Sequence, residues 1–435
     1  MSISEKAFFS SQIQAAAGVW EEIKNSPVPA DRWLGNYFHR FRKKFGSRDR
    51  RFISETVYSL FRHKSFLEFW DHEAGGFPPE STTLMAAAMA GLIDAENFQK
   101  QIPDFKNAAV FYEKLLRNEL PKAVSQSLKA TEEKVAANFS FPLWLVQRWT
   151  ATFGEEECRS LLRSFQERPP LTVRTNVLKI KRDQLLKRFQ SLGFEVGPTP
   201  YAQNGIIFRE RANLFDGEEF GKGLFEIQDE GSQLICQKIG PKPGMVVWDV
   251  CAGGGGKSLS LAAFMQNKGR VIATDIRIKK LEDLKKRAKR AGAYNIFPAD
   301  LNRLQESREL KKGADIILID APCSGTGTFR RNPDAKWKIG EADFERLHAQ
   351  QLDIIEKALP YLAPQGKLYY ATCSIEPVEN EKVMEEVLAR HPELQLGVMG
   401  ENGEAFLKLY PHRHSTDGFF LAMAENRKEI GFINH

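Results

Sequence analysis

The chain lacks the features that carry a protein into or through a membrane. No stretch approaches the ~18 uninterrupted apolar residues that a spanning helix needs. The longest candidate, Leu84 to Ile93, is an Ala/Met run of ordinary helix length. The opening residues, Met1, Ser2, Ile3, Ser4, Glu5 and Lys6, show no basic n-region followed by an apolar h-region, so no export signal is expected. Cysteine is scarce as well: five residues, at 158, 236, 251, 323 and 373, none in a C-x-x-C pair. An odd, scattered set argues against a disulfide framework or a structural zinc site, and a cytoplasmic location is expected. Charge imbalance is small. A net charge of +6 permits a polyanionic partner without demanding one. Internal repeats and low-complexity tracts are missing too, and 42% apolar with 27% charged residues excludes wholesale disorder and fibrous architectures.

What is present is chain enough for about three domains at ~150 residues each. From Glu5 to about Glu133 apolar residues recur at helical spacing, as in Phe52, Ile53, Val57, Leu60 and Phe61, with Ser47 placed to cap that segment. The stretch from Phe139 to about Phe225 alternates: a Trp/Leu-rich helix, Pro169-Pro170, a strand at Leu171–Arg174, a helix near 182–192 and short strands to Ile207. From Gly244 onward the pattern is β then α, with an acid near each strand end: Asp249, Asp275, Asp300 and Asp320. Repeated units of this length predict a parallel, doubly wound sheet. A helix at about 341–359 stops at Pro360, a Pro364-Gln365-Gly366 turn follows, and Lys367–Thr372 reads as a further strand. Leu407–Tyr410 and Phe419–Ala424 read as an antiparallel hairpin that finishes the sheet.

After the strand ending at Asp249 comes Cys251-Ala-Gly-Gly-Gly-Gly-Lys257-Ser258 and then a helix. Glycines let the backbone approach a ligand, and the helix N-terminus behind them favours an anionic or strongly polar group. A phosphate-binding P-loop needs Gly where Cys251 stands, although Ile316–Asp320 resembles a Walker-B strand. The dinucleotide pattern G-x-G-x-x-G also fails, because Ser258 occupies its third glycine position. Asp275, ending the next strand, sits where an acid bonds the two hydroxyls of a ribose. A ribose-reading acid with an imperfect phosphate loop favours a nucleoside cofactor without a pyrophosphate, and S-adenosyl-L-methionine fits. A Gly-rich turn with a solvated Asp is the bland alternative.

Two thiols follow two strands, in Asp320-Ala-Pro-Cys323-Ser-Gly and Ala371-Thr-Cys373-Ser-Ile. Both loops belong at the carboxyl edge of a doubly wound sheet, where ligands bind. Cys158 and Cys236 lie in helical apolar patterns and read as core residues.

These residues carry a resemblance. Asp320-Ala-Pro-Cys323, Arg331-Asn-Pro-Asp334 with Trp337, Thr372-Cys373-Ser374-Ile375, Glu379-Asn380-Glu381 and Asp417-Gly-Phe-Phe420 resemble the Sun-type RNA cytosine-5 methyltransferase family. The N-terminal helices, with Ser47-Arg48-Asp49-Arg50, resemble the NusB-like extension of a bacterial branch that acts on small-subunit ribosomal RNA. Phe141-Pro-Leu-Trp144, Arg174-Thr-Asn176 and Gln228-Asp229-Glu230-Gly-Ser232 match in the middle segment, so the likeness covers nearly the whole chain. One departure is that the family usually has Ala-Pro-Gly-Gly-Lys-Thr where this chain has Gly253-Gly-Gly-Gly-Lys-Ser258. Losing that Pro makes the loop more flexible and bears on cofactor affinity, not identity.

The resemblance implies an α/β fold: a Rossmann-like class I methyltransferase sheet over 227–435, an all-helical NusB-like RNA-binding domain over 1–135, and a small α+β RNA-binding domain over 136–226. It implies S-adenosyl-L-methionine as methyl donor and carbon 5 of an RNA cytosine as acceptor, through a covalent Cys–RNA intermediate. Cys373 is implied as the adding nucleophile and Cys323 as the thiol that assists release. Asp320 is implied at the cytosine amino edge or ring nitrogen. Lys257 adds positive potential that helps keep a nearby thiol ionised. Cys251, Ala252, Gly253, Gly254, Gly255, Gly256, Lys257, Asp275, Asp300 and Asp320 are expected around the cofactor.

A base whose carbon 6 meets a thiol cannot stay stacked, so the target is single-stranded or flipped out. Small-subunit 16S ribosomal RNA is the expected substrate and transfer RNA the alternative. Arg40, Arg42, Lys43, Lys44, Arg48, Arg50 and Arg51, interleaved with Phe41 and Phe45, form one basic run; Arg277, Lys279, Lys280, Lys285, Lys286, Arg287, Lys289 and Arg290 form another. Both also fit solvated helix faces; phosphate contact is the better reading of the first. No metal is expected, since His412 and His414 lie in a turn without partner ligands, and a monomer is expected. From other classes, a P-loop NTPase and a non-catalytic RNA-binding assembly factor stay open.

Overall fold

The computed structural model describes residues 3–73, 79–102, 108–210, 212–301, 308–400 and 402–427. They fall into two compact units: Met1–Arg168 with Phe329–Ile339, and Pro169–Thr328 with Gly340–His435.

The first unit is helical. In the helix Ser47–Arg62, Phe52, Ile53, Val57, Leu60 and Phe61 are buried at the spacing read from sequence. Ser47 is the first helical residue and not its cap; the helix begins after Gly46, whose N–H donates to Asp49 Oδ2 at 2.8 Å. An acid in the first turn does the capping there, because its longer side chain reaches back to the donor ahead of the helix. The unit also takes in residues 329–339. Phe329 sits among Phe141, Trp149 and Phe165 with ring centroids 5.8–6.2 Å away. Lys336 is buried over the Phe141 ring at 4.0 Å and donates to Arg62 O at 2.9 Å. Asp334 accepts from the Ala30 N–H at 2.9 Å and pairs with Lys338 at 2.7 Å.

The second unit holds two sheets. The smaller is antiparallel in the order β2-β3-β1-β4, from β1 (Leu171–Thr175), β2 (Val196–Pro198), β3 (Gly205–Phe208) and β4 (Phe225–Ile227). The helix Arg182–Ser191 covers it with Leu185 and Phe189. The larger is mixed, in the order β10-β12-β9-β8-β5-β6-β7 with β11 beside β12. Its strands are β5 (Val246–Asp249), β6 (Arg270–Thr274), β7 (Ile296–Ala299), β8 (Ala314–Asp320), β9 (Leu362–Thr372), β10 (Leu394–Leu396), β11 (Leu407–Leu409) and β12 (Phe419–Asn426). β5 to β9 are mutually parallel and β12 runs antiparallel to β9. The doubly wound expectation and the closing β11–β12 hairpin both hold.

The unbroken apolar run of β8 follows from burial on both faces. Ile316 and Leu318 join one core with Val247, while Ile317 and Ile319 join the other with Trp248. Pro364-Gln365-Gly366 is not a turn ahead of a strand. It is a bulge inside β9, where the pairing with β8 jumps from Ala314/Leu362 to Ile316/Lys367. A Cβ on Gly366 would lie 2.9 Å from Ala314 O, so only glycine lets the strand stay paired there.

Candidate active site

β5 and β8 are neighbours, and the chain order reverses between them: β6 and β7 lie on one side, β9 on the other. Ligands of open α/β sheets bind outside the carboxyl ends at such a point. The predicted residues follow those ends: the glycine loop after β5, Asp275 after β6, Asp300 after β7, Asp320 and Cys323 at β8, and Cys373 after β9.

The glycine loop is held from four sides. Trp248 Nε1 donates to Thr274 Oγ1 at 3.0 Å, and Thr274 Oγ1 donates to Val250 O at 2.8 Å, locking the ends of β5 and β6 together. The Ala252 N–H reaches Thr274 O at 2.8 Å. Arg287 Nη1 donates to Gly254 O at 2.6 Å, and Arg174 from β1 donates to Gly256 O at 3.4 Å. Gly253 and Gly255 have φ of +55° and +80°. A Cβ on Gly255 would fall 1.9 Å from Leu284 Cδ1, whereas Gly256 faces open space. Of the four glycines, Gly253 and Gly255 are required by the chain's own turns, Gly254 lies against Arg287 Nη1, 3.1 Å from where a Cβ would sit, and Gly256 leaves room. Cys251 is half-buried in this loop, its thiol pushed far up by burial and then by Asp249 and Asp320.

The acids differ in state. Asp275 is buried; its Oδ2 accepts from the Gly253 N–H at 2.9 Å and its Oδ1 from the Arg277 N–H at 2.8 Å. Burial alone would raise its pKa, but the hydrogen bonds from Arg277 and Gly253 outweigh that and hold it below the usual range. It is an ionised acceptor fixed beside the loop. Asp300 follows β7 and is exposed. Asp249, fully buried, accepts from Ser258 Oγ at 2.6 Å while its Oδ1 has no protein partner, and burial pushes it up to about 7. An acid at a strand end is visible in sequence; its bond to the serine of the glycine motif is not.

Lys257 is nearly buried and pairs with Asp320, Nζ to Oδ2 at 2.7 Å. Burial opposes its charge, yet Asp320 raises its pKa past the normal lysine value, so the ammonium persists. With Ser258 on Asp249 as well, both side chains that a P-loop would offer to phosphate and metal are taken by carboxylates.

Cys323 and Cys373 meet, Sγ to Sγ at 3.3 Å, because Asp320 lies opposite Ala371 in the β8–β9 ladder. Gly327 N–H donates to Cys373 O at 3.0 Å, and Gly325, at φ +70°, turns the chain between. The Cys323 thiol is raised well above its ordinary value, first by its hydrogen bond to Cys373, then by burial. The two sulfurs share that hydrogen bond, which either thiol can donate. Beneath them sequence reasoning missed a polar network: Ser324, Thr326, Ser374, Glu379 and Asn380. Glu379 and Asn380 stood in a quoted motif, but spacing gave no sign that they face the thiols.

The second basic run is less available than its composition suggests. Arg287 and Arg290 both pair with the buried Glu226, and Arg277 with Asp275. In the first run Arg42, Lys43 and Lys44 are exposed, but Phe45 is buried and Arg50 is spent on Phe45 O and Arg42 O. Among the described residues no cluster of His, Cys, Asp and Glu fits a metal ion, and no helix is long and apolar enough to cross a membrane.

Residues 236–425 match the 16S rRNA methyltransferase RsmB/F family, and residues 141–214 match the ferredoxin-like domain of RsmF/B-like methyltransferases. A Bacillus subtilis protein named probable ribosomal RNA small subunit methyltransferase B is 28% identical over 87% of this chain and 91% of its own. Ribosomal RNA small subunit methyltransferase B of Photorhabdus laumondii is 30% identical over 66% of each. A methyltransferase homologue from Pyrococcus horikoshii, known from its crystal structure, superposes with a TM-score of 0.60 at 29% identity, over 69% of this chain and all of its own. The chain therefore belongs to the RsmB/F family of RNA methyltransferases, and the relatives it matches bear the name ribosomal RNA small subunit methyltransferase B.

Proposed function

We propose that this protein methylates carbon 5 of a cytosine in 16S small-subunit ribosomal RNA, with S-adenosyl-L-methionine as methyl donor and a covalent Cys–RNA intermediate. The observation that carries the reading is the 3.3 Å approach of Cys323 and Cys373 beside the Lys257–Asp320 pair.

The residues around the glycine loop fit the donor. Asp275 is an ionised acceptor for ribose hydroxyls, Gly256 leaves open space, and Cys251 to Lys257 with Asp300 and Asp320 line the carboxyl edge. Bound there, S-adenosyl-L-methionine supplies an electrophilic methyl group. Carbon 5 of cytosine is too poor a nucleophile to take it unaided. The Cys373 thiolate forms a bond to carbon 6, and the displaced electron pair makes carbon 5 nucleophilic. Asp320, held by Lys257, accepts from the exocyclic amino group and orients the base, while the Lys257 ammonium beside it offsets the negative charge that thiolate addition puts into the ring. Solvent water at the carboxyl edge takes the proton from carbon 5, the freed pair restores the carbon 5–carbon 6 double bond, and the carbon 6–sulfur bond breaks with its electrons returning to Cys373, whose sulfur accepts a hydrogen bond from the Cys323 S–H. That division of labour is supported by the 3.3 Å approach of the two sulfurs and by the upward shift of the Cys323 thiol, which its hydrogen bond to Cys373 and its burial cause.

The helical residues 1–135 and the α+β residues 136–226 are assigned to RNA binding, with Lys43 and Lys44 on phosphates. The protein acts as a cytoplasmic monomer, where two thiols stay reduced.

The test is to incubate wild type, Cys323→Ala and Cys373→Ala with RNA stripped of 5-methylcytosine and labelled S-adenosyl-L-methionine, then run denaturing gels. Wild type should label small-subunit RNA, Cys323→Ala should stay crosslinked to it, and Cys373→Ala should do neither. Label on transfer RNA alone overturns the substrate. Tight RNA binding with no label or adduct in any variant favours an assembly factor instead.

A further inference from the structure

Glu379 takes no part in the chemistry above, yet its fully buried carboxylate touches both cysteine loops. Its Oε1 accepts from the Ser324 N–H at 2.8 Å and from Gln351 Nε2 at 3.1 Å. Its Oε2 accepts from the Ser374 hydroxyl at 2.6 Å and from the Ser324 hydroxyl. Ser324 follows Cys323 and Ser374 follows Cys373, so one side chain grips the neighbour of each thiol. One oxygen thus takes two fixed N–H donors, and the other lies within hydrogen-bond reach of two hydroxyls. Ser374 Oγ also accepts from the Glu376 N–H at 3.1 Å and lies 3.1 Å from the Ser324 and Thr326 hydroxyls, so it joins both loops to the carboxylate.

The residue is anchored through its backbone as well. Tyr370 OH, from β9, donates to Glu379 O at 2.6 Å, and Gln351 Nε2 also reaches Pro322 O, the residue before Cys323, at 3.1 Å. Asn380 completes the clamp: its Oδ1 accepts from the Thr372 hydroxyl at 2.5 Å and its Nδ2 donates to Ser374 O at 2.9 Å, on either side of Cys373. A buried charge is costly unless every lone pair is used, and a network that uses them all rigidifies what it joins. The Thr326 hydroxyl adds a further tie between the loops, accepting from the Ile375 N–H at 3.0 Å.

We infer that Glu379 is a positioning residue that sets the spacing of Cys323 and Cys373, so that both sulfurs serve the same base carbon. The second half of that inference rests on the mechanism proposed above; the first does not.

The experiment uses the full chain and the oxidant diamide, which closes a disulfide from two thiols at bonding reach. Each thiol gives up a proton, the sulfurs join, and the two electrons and two protons reduce the N=N bond of diamide to a hydrazine. Closure is followed by peptide mass spectrometry of the 323 and 373 fragments. Glu379→Ala should close at least tenfold more slowly than wild type while keeping its circular dichroism, and Glu379→Gln, which keeps the shape and one acceptor oxygen, should lie between. In methyl transfer, Glu379→Ala should lower kcat with the KM for S-adenosyl-L-methionine within twofold. A folded Glu379→Ala that closes at the wild-type rate overturns the positioning role. Should that variant not fold, Ser374→Ala decides, with slow closure expected and wild-type closure fatal. Slow closure with unchanged methyl transfer overturns the shared base carbon alone. A wild type that closes as expected but methylates no RNA counts against the proposed function and leaves the positioning role standing.

Discussion

Lys257 Nζ stands 2.7 Å from Asp320 Oδ2, an ion pair that ties the helix behind the glycine loop to the end of β8. The lysine side chain is 10% exposed and the aspartate 31%, so water screens one partner only. Lys257→Met should lower the unfolding free energy by about 1–3 kcal/mol, below the ~3–5 kcal/mol of a fully buried pair that loses one member. Urea denaturation measures this, and a loss under half a kcal/mol contradicts the assigned geometry.

Two adjacent glycines should respond in opposite ways. Gly255→Ala places a Cβ on Leu284 at φ +80° and should destabilise by roughly 2–4 kcal/mol, from the left-handed strain and the clash together. Gly256→Ala meets nothing in the protein and should leave the melting temperature within about 1–2 °C. If the loop holds the cofactor, the same methyl should weaken S-adenosyl-L-methionine binding tenfold or more by calorimetry.

Asp249 should leave a mark on stability against pH. Its pKa rises from 3.8 unfolded to about 7 folded, so the native state holds the extra proton between those values. Stability from this group is therefore fully present below about pH 4 and lost as pH rises through 7. Melting curves of wild type and Asp249→Asn from pH 4.5 to 8 should diverge: the variant loses less stability over that range. Parallel curves would show that Asp249 ionises normally.

The basic residues should separate by what they already hold. Lys43 and Lys44 are exposed, so replacing both with Ala should weaken small-subunit RNA binding and flatten the slope of log Kd against log salt by roughly 0.7 per charge. The fold should not change. Arg287→Ala, which breaks contacts to Glu226 and Gly254 O, should lower the melting temperature instead.

The sheet was legible because buried parallel strands carry their own signature, as in Ile316–Ile319, and because an acid marks each strand end. The pairing of Cys323 with Cys373 could be anticipated from topology, since adjacent strands bring their loops to one edge. The donors beneath could not. Glu379 meets Ser324 across 55 residues of chain, and a polar side chain in a loop looks the same whether it faces water or a buried carboxylate. Ser47 illustrates the opposite failure: a good capping residue one place too late, displaced by Asp49. Arg287 and Arg290 read as surface charge because their partner, Glu226, belongs to a different sheet.

Residues 329–339 complete the aromatic core of the helical unit, with Phe329 between Phe141, Trp149 and Phe165. During synthesis, the helices up to Arg168 leave the ribosome about 170 residues before that segment. At translation speeds of 5–20 residues per second, the wait is on the order of 10–30 s. The nascent helical unit spends that time with an open aromatic socket, apolar surface that is exposed to aggregation until Phe329 arrives.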